Sequence, residues 1–141
     1  MSIGATHIDH VVIRSSDAAA TAAHFSRLLD APIRRRMTRP GTGAHLEFMK
    51  FGEIILEFAG PPQPAEGEPR AELAGFVLCV RDIHAAVRRL RELGYSVGDP
   101  KPAVQPGAAI ATVRSGTHGV PFAIMQYGVY PTPTPREGEQ R

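Results

Sequence analysis

The chain has 141 residues, enough for one compact core, and its 43% hydrophobic and 21% charged content is that of an ordinary globular protein, which excludes disordered and fibrous classes. Lys+Arg of 16 against Asp+Glu of 14 is close to neutral, there is no Trp, and the one basic run is Arg34, Arg35 and Arg36, so a nucleic-acid surface is not indicated; the triplet reads as a solvated edge or as a contact for an anionic substrate. A single cysteine, Cys79, excludes an intrachain disulfide, no stretch approaches the roughly 20 apolar residues of a membrane span, and residues 1–10 lack a signal-peptide pattern, so no membrane partner is expected and the location expected is the cytoplasm.

In chain order, Val11 to Ile13 is a β-branched run suited to a strand, and Asp17 follows as a helix N-cap. Ala22, Phe25 and Leu29 form the apolar stripe of the helix it opens, and Pro32 prevents continuation. Three extended pieces come next: Ile33 to Met37, Ala44 to Phe51 and Glu53 to Phe58, with a tight turn at Gly52. The stretch from Gly60 to Arg70 is rich in Pro, Gly and charge, the composition of an exposed connector.

The pattern then repeats, with His10 recurring in register at Gly75 and Asp17 at Asp82. Phe76 to Val80 is the strand, and Ile83, Val87 and Leu90 are the buried stripe of a helix that Gly94 ends. Ser96 to Val97, Ala108 to Arg114 and Pro121 to Gln126 are the extended pieces, with Ser115 to Gly119 as a turn. The expected fold class is therefore α+β: two tandem βαβββ units at about residues 6–60 and 71–127, in one domain over residues 1–130, with an extended or disordered tail at 131–141.

The phrase Ile8-Asp9-His10-Val11-Val12-Ile13, the helix after Asp17, the strand Ile54-Ile55-Leu56-Glu57-Phe58 and the second strand–helix start together resemble the vicinal oxygen chelate superfamily. That group includes glyoxalase I, methylmalonyl-CoA epimerase, extradiol dioxygenases and bleomycin-resistance proteins. The resemblance covers about Thr6 to Gln126 and implies a half-open curved mixed sheet with helices outside, commonly paired as a homodimer. It also implies four metal ligands on the cleft floor, one on the first and one on the last strand of each unit. Carried over, these fall on His10, Glu57, Gly75 and Ala123. An imidazole and a carboxylate suit Zn, Fe, Mn or Ni, whereas Gly75 and Ala123 cannot bind a metal. A divalent metal is thus not assured, and His10 with Glu57 reads equally as a hydrogen-bonded or ion pair. Among neighbours that could replace the missing ligands, Gln126 is expected on the helix side, His84 at solvent and His118 within reach of the cleft mouth.

With His10 and Glu57 inward, strand alternation puts Val12, Ile55, Val77, Cys79 and Met125 in the cleft. Val11, Ile13, Leu56, Phe58, Phe76, Leu78 and Ile124 then pack under the helices. His45 and Glu47 share one strand face that either enriches the cleft or meets solvent. The function expected is the binding of a small, largely apolar molecule, with the reaction unassigned. The alternative is a divalent-metal-dependent lyase, isomerase or dioxygenase using His10 and Glu57 as catalytic residues, or a metal-free acid–base dyad of the same two. A module that uses the fold only for pairing is the third reading. Gly41 and Gly43 lack the Lys and helix of a phosphate loop, and no nucleophile elbow is present.

Overall fold

The computed structural model describes residues 2–132, so the reading of the tail as extended falls, beyond residue 132, outside the described residues. The first half runs β1 (Ala5–Ser15), α1 (Ala18–Leu29), β2 (Ile33–Thr38), β3 (His45–Phe51) and β4 (Ile54–Gly60). The second runs β5 (Ala71–Val80), α2 (Ile83–Glu92), β6 (Lys101–Pro102), β7 (Ala109–Val113) and β8 (Phe122–Gln126). All eight strands join one sheet in the order β2-β3-β4-β1-β5-β8-β7-β6, curled into a half-barrel. The β1/β4 and β5/β8 pairs are parallel and the rest antiparallel, so each half is built alike and the two meet along β1 and β5.

Local chemistry sets the helix ends. The Asp17 carboxylate accepts the Ala20 N–H at 3.0 Å, and Asp82 accepts that of Ala85 at 3.1 Å, each cap stabilising its helix by about 1 kcal/mol. At the far end of α1 the chain turns at Asp30, φ 50°, two residues before Pro32, and the Ala31 N–H donates back to the Ser26 carbonyl. The helix is closed by this left-handed residue before proline could act.

Both helices lie on one face of the sheet. Ile13, Ala18, Ala22, Met49 and Phe58 form the core under α1, with Phe25, Leu29 and Leu56 packed on it. Ile83, Val87 and Leu90 from α2 meet Ala111, Val113 and Ile124. Gln126 also turns to this side, where its Oε1 accepts the Ile83 N–H at 2.8 Å and ties β8 to the start of α2. Phe76 pairs Val11 and stacks on Phe122 at a centroid distance of 5.7 Å, and Phe122 packs against the core under α2, while both residues border the cleft.

One strand is displaced from its expected position. Val97 makes only an isolated bridge to Val113, and the short edge strand forms later, at Lys101–Pro102. Pro100 and Pro102 lack the N–H a central ladder needs, which restricts this segment to a two-residue edge. Among the described residues no helix is long and apolar enough to cross a membrane.

Candidate functional site

The sheet face away from the helices encloses a cavity of about 730 Å³. Val12, Val77, Ile110, Ala123 and the Phe76/Phe122 pair give it an apolar wall, with His10 and Glu57 among its polar lining. Arg14, Arg39 and Lys101 also line it, on side chains that are partly or well exposed. Arg14 is held by Glu72 at 3.2 Å.

Strand register places the two buried polar groups. β1 and β4 run parallel with Val12 opposite Glu57, so Glu57 and His10 stand on neighbouring strands and one face. Both are 3% exposed. Burial pushes the Glu57 carboxyl above its ordinary range, opposed by the charges of His10 and Arg39, whose guanidinium stands 4.0 Å from Glu57 Oε2. A carboxyl held this way keeps its proton to higher pH than a free one.

His10 has a partner that alternation does not foresee. The β1/β5 register slips between Ile8↔Leu78 and His10↔Val77, so Asp9 is an extra residue in a β-bulge. Its carboxylate reaches the neighbouring imidazole, with Oδ2 2.7 Å from His10 Nδ1, while Oδ1 accepts the Tyr127 hydroxyl at 2.8 Å. Burial raises the Asp9 pKa, but the hydrogen bonds from His10, Tyr127 and Cys79 and the charge of His10 outweigh it and leave the carboxyl below its ordinary value. An ionised Asp9 can only accept, so the proton sits on Nδ1 and Nε2 is the open nitrogen of the ring. Cys79 donates to the same carboxylate across 3.8 Å, and burial with the adjacent negative charge pushes its thiol up to about 11.

The other expected cleft residues divide. Val12 and Val77 line the cavity; Ile55, Cys79 and Met125 do not. Met125 is fully buried against Val77, Ala108 and Ala123 and so closes the floor from behind. His45 and Glu47 are not part of the cleft. Phe48 pairs with Glu57 and Glu47 with Phe58, which sets Glu47 and His45 on the helix-side face. There the buried Glu47 carboxylate accepts from Arg36 Nε at 3.0 Å and lies 2.6 Å from His45 Nε2, which accounts for both residues as a structural cluster. His84 and His118 are exposed and outside the cavity.

The two halves can be compared position by position. Val12 lies beside Glu57 as Val77 lies beside Ala123, and His10 faces Val77 as Gly75 faces Val12. Gly75 and Ala123 are therefore the true counterparts of His10 and Glu57. Gly75 adopts φ +150°, and a Cβ built on it would come within 2.6 Å of the Pro121 carbonyl oxygen. No side chain of any kind fits there without moving backbone. At the four matching positions the cleft offers one imidazole and one carboxylate, both from one half, and these positions do not make a four-ligand metal centre.

The sequence model of the Glyoxalase/Bleomycin resistance protein/Dioxygenase superfamily matches residues 7–120. The chain belongs to this superfamily. Solved structures agree on the fold. Methylmalonyl-CoA epimerase from Mycobacterium tuberculosis superimposes with a TM-score of 0.74 at 15% identity, over 88% of this chain and 89% of that one. A selenomethionine methylmalonyl-CoA epimerase gives 0.74 at 23% identity, over 87% and 96%. A variant of the Streptomyces coelicolor epimerase in complex with 2-nitronate-propionyl-CoA gives 0.74 at 18% identity, over 87% and 98%. No curated protein matches the chain. Where the first half of the cleft has His10 and Glu57, the second half has Gly75 and Ala123 at the corresponding positions.

Proposed function

We propose that the cleft binds a small, largely apolar molecule bearing an anionic group. The observation that carries this reading is the cavity itself: apolar walls, a buried His10/Glu57 pair, and Arg39 and Lys101 placed to meet negative charge. The superfamily relatives seen with acyl-CoA ligands support an anionic acyl compound as the chemical class. The fluorescent probe anilinonaphthalene sulfonate, an apolar anion, tests it. Saturable binding of one probe per chain is expected, abolished by Ala123→Phe, which fills the cavity, and weakened about threefold by Arg39→Gln, the scale of one exposed charge contact. Binding that is unchanged in Ala123→Phe, with the variant folded, would place the probe elsewhere and remove the reading.

A second reading is favoured by the short contact between Asp9 and His10. An imidazole oriented by a carboxylate, beside a carboxyl biased to its protonated form, is the equipment for moving a proton at carbon next to a carbonyl: His10 Nε2 accepts it and Glu57 returns one. Methylmalonyl-CoA in deuterated buffer is the probe, and deuterium incorporation lost in His10→Ala is the expected result. Equal incorporation in wild type and variant would leave binding alone. On the resemblance to the superfamily we also read the chain as a homodimer. A divalent metal held by His10 and Glu57 is not part of the proposal.

A further inference from the structure

Away from the cavity, β1 carries a second irregularity. Its register on β5 slips between Ala5↔Val80 and His7↔Cys79, and again at Asp9. The first slip sets His7 directly across from Cys79, and the second brings the Asp9 carboxylate to the same place. The imidazole, carboxylate and thiol offer ligand atoms that all lie within 4.8 Å of one another, and among the described residues this is the one such convergence of three metal-binding side chains. Neither Asp9 nor Cys79 belongs to the cavity lining, so the cluster lies outside the cleft and touches it only through the Asp9–His10 contact.

We propose that His7, Asp9 and Cys79 form a site for a divalent metal ion of the zinc class, clamping β1 to β5 at the seam between the two halves. The donor set selects the ion: one nitrogen, one oxygen and one sulfur suit Zn²⁺ or Co²⁺ and are poor partners for Mg²⁺ or Ca²⁺. Tetrahedral zinc, with bonds of about 2.0–2.3 Å, needs donors roughly 3.3–3.8 Å apart. The Cys79 Sγ to Asp9 Oδ1 separation is already 3.8 Å, so closure asks mainly for a small movement of His7. The metal takes the place of the thiol proton that Asp9 now accepts, and that proton leaves to solvent.

The surroundings are those of an ordered ligand set. Asp9 is fixed by Tyr127 through Oδ1 and by His10 through Oδ2, the kind of outer partner that orients a ligating carboxylate. Asp9 and Cys79 are buried while His7 is exposed, which gives the ion a way in from the surface and leaves room for water at a fourth position.

Titration of metal-free full-length protein with Co²⁺ decides the matter, because a cobalt–thiolate bond gives a near-ultraviolet charge-transfer band that nitrogen and oxygen ligands do not. One cobalt per chain with this band is expected, together with a melting temperature that rises with added Zn²⁺. Cys79→Ser should abolish the band and His7→Ala should weaken binding by about tenfold or more, while Glu57→Gln leaves both unchanged. His7 is exposed, so its variant decides the question even where Cys79→Ser fails to fold. No band in folded wild-type protein, or cobalt binding that survives His7→Ala and disappears in Glu57→Gln, would overturn the proposal.

Discussion

Glu57 is buried with little to compensate it. Among the described residues its carboxyl has Arg39 at the limit of an ion pair and no side-chain hydrogen bond, whereas Asp9 is met by three donors. Burial therefore raises the folded-state pKa of Glu57 above its ordinary 4.5. A raised acid stabilises the fold in its neutral form: the contribution is complete below the unfolded value and is lost as pH climbs through the folded one. Glu57→Gln keeps the shape and removes the titration. In metal-free protein the melting temperature of the variant is expected to gain on wild type as pH is raised from the ordinary carboxylate value of 4.5 toward neutrality. Melting curves that shift in parallel across that range would show that the carboxyl is not held toward its neutral form. His10 and Glu57 could be named from sequence because the Ile8–Ile13 and Ile54–Phe58 phrases carry them at the starts and ends of strands. Gly75 was legible as a lost ligand but not as a steric necessity, since nothing in the chain announces that the Pro121 carbonyl will lie against it.

At the level of elements, alternation placed many residues of the regular strands, though Ile55 on β4 and Met125 on β8 do not line the cavity. It put Leu56, Phe58 and Ile124 under the helices, Val12 and Val77 in the cleft, and Gln126 on the helix side. It failed on β1, where two bulges reset the count, and those bulges gather the polar groups that alternation would have sent to opposite faces. Asp9 was missed for this reason, and Tyr127 because it lies just past the end of β8, where no alternation applies. A polar residue directly before His10, within an otherwise apolar strand, is the only trace the bulge leaves in the sequence, and it does not distinguish a bulge from an exposed position. β3 shows the complementary failure: His45 and Glu47 alternate cleanly, but the face they occupy depends on pairing with β4, where Phe48 is the residue opposite Glu57. Which side of a strand meets the cleft is a property of the pair, and pairing is not written in either strand alone.

The whole molecule is a duplication joined along one antiparallel seam, from Ala5↔Val80 to Ser15↔Ala71. Each half has its own core under its own helix, so the halves depend on each other through the β1/β5 ladder and through the cavity that both line. The covalent link between them, residues 61–70, is exposed throughout and touches the first half by backbone bonds at Ser16. A link of this kind raises the local concentration of one half near the other, while the ladder supplies the binding energy. Cutting the chain should then remove little of the structure. A protease site inserted between Glu66 and Gly67, where a side chain on Gly67 would meet nothing within 4 Å, makes the cut without disturbing either core. After cleavage the two fragments are expected to co-elute in gel filtration under native conditions, to retain anilinonaphthalene sulfonate binding, and to separate only in denaturant. Fragments that part in native buffer would mean that the seam is weaker than its ladder implies, and that the connector, for all its exposure, is what holds the cleft together.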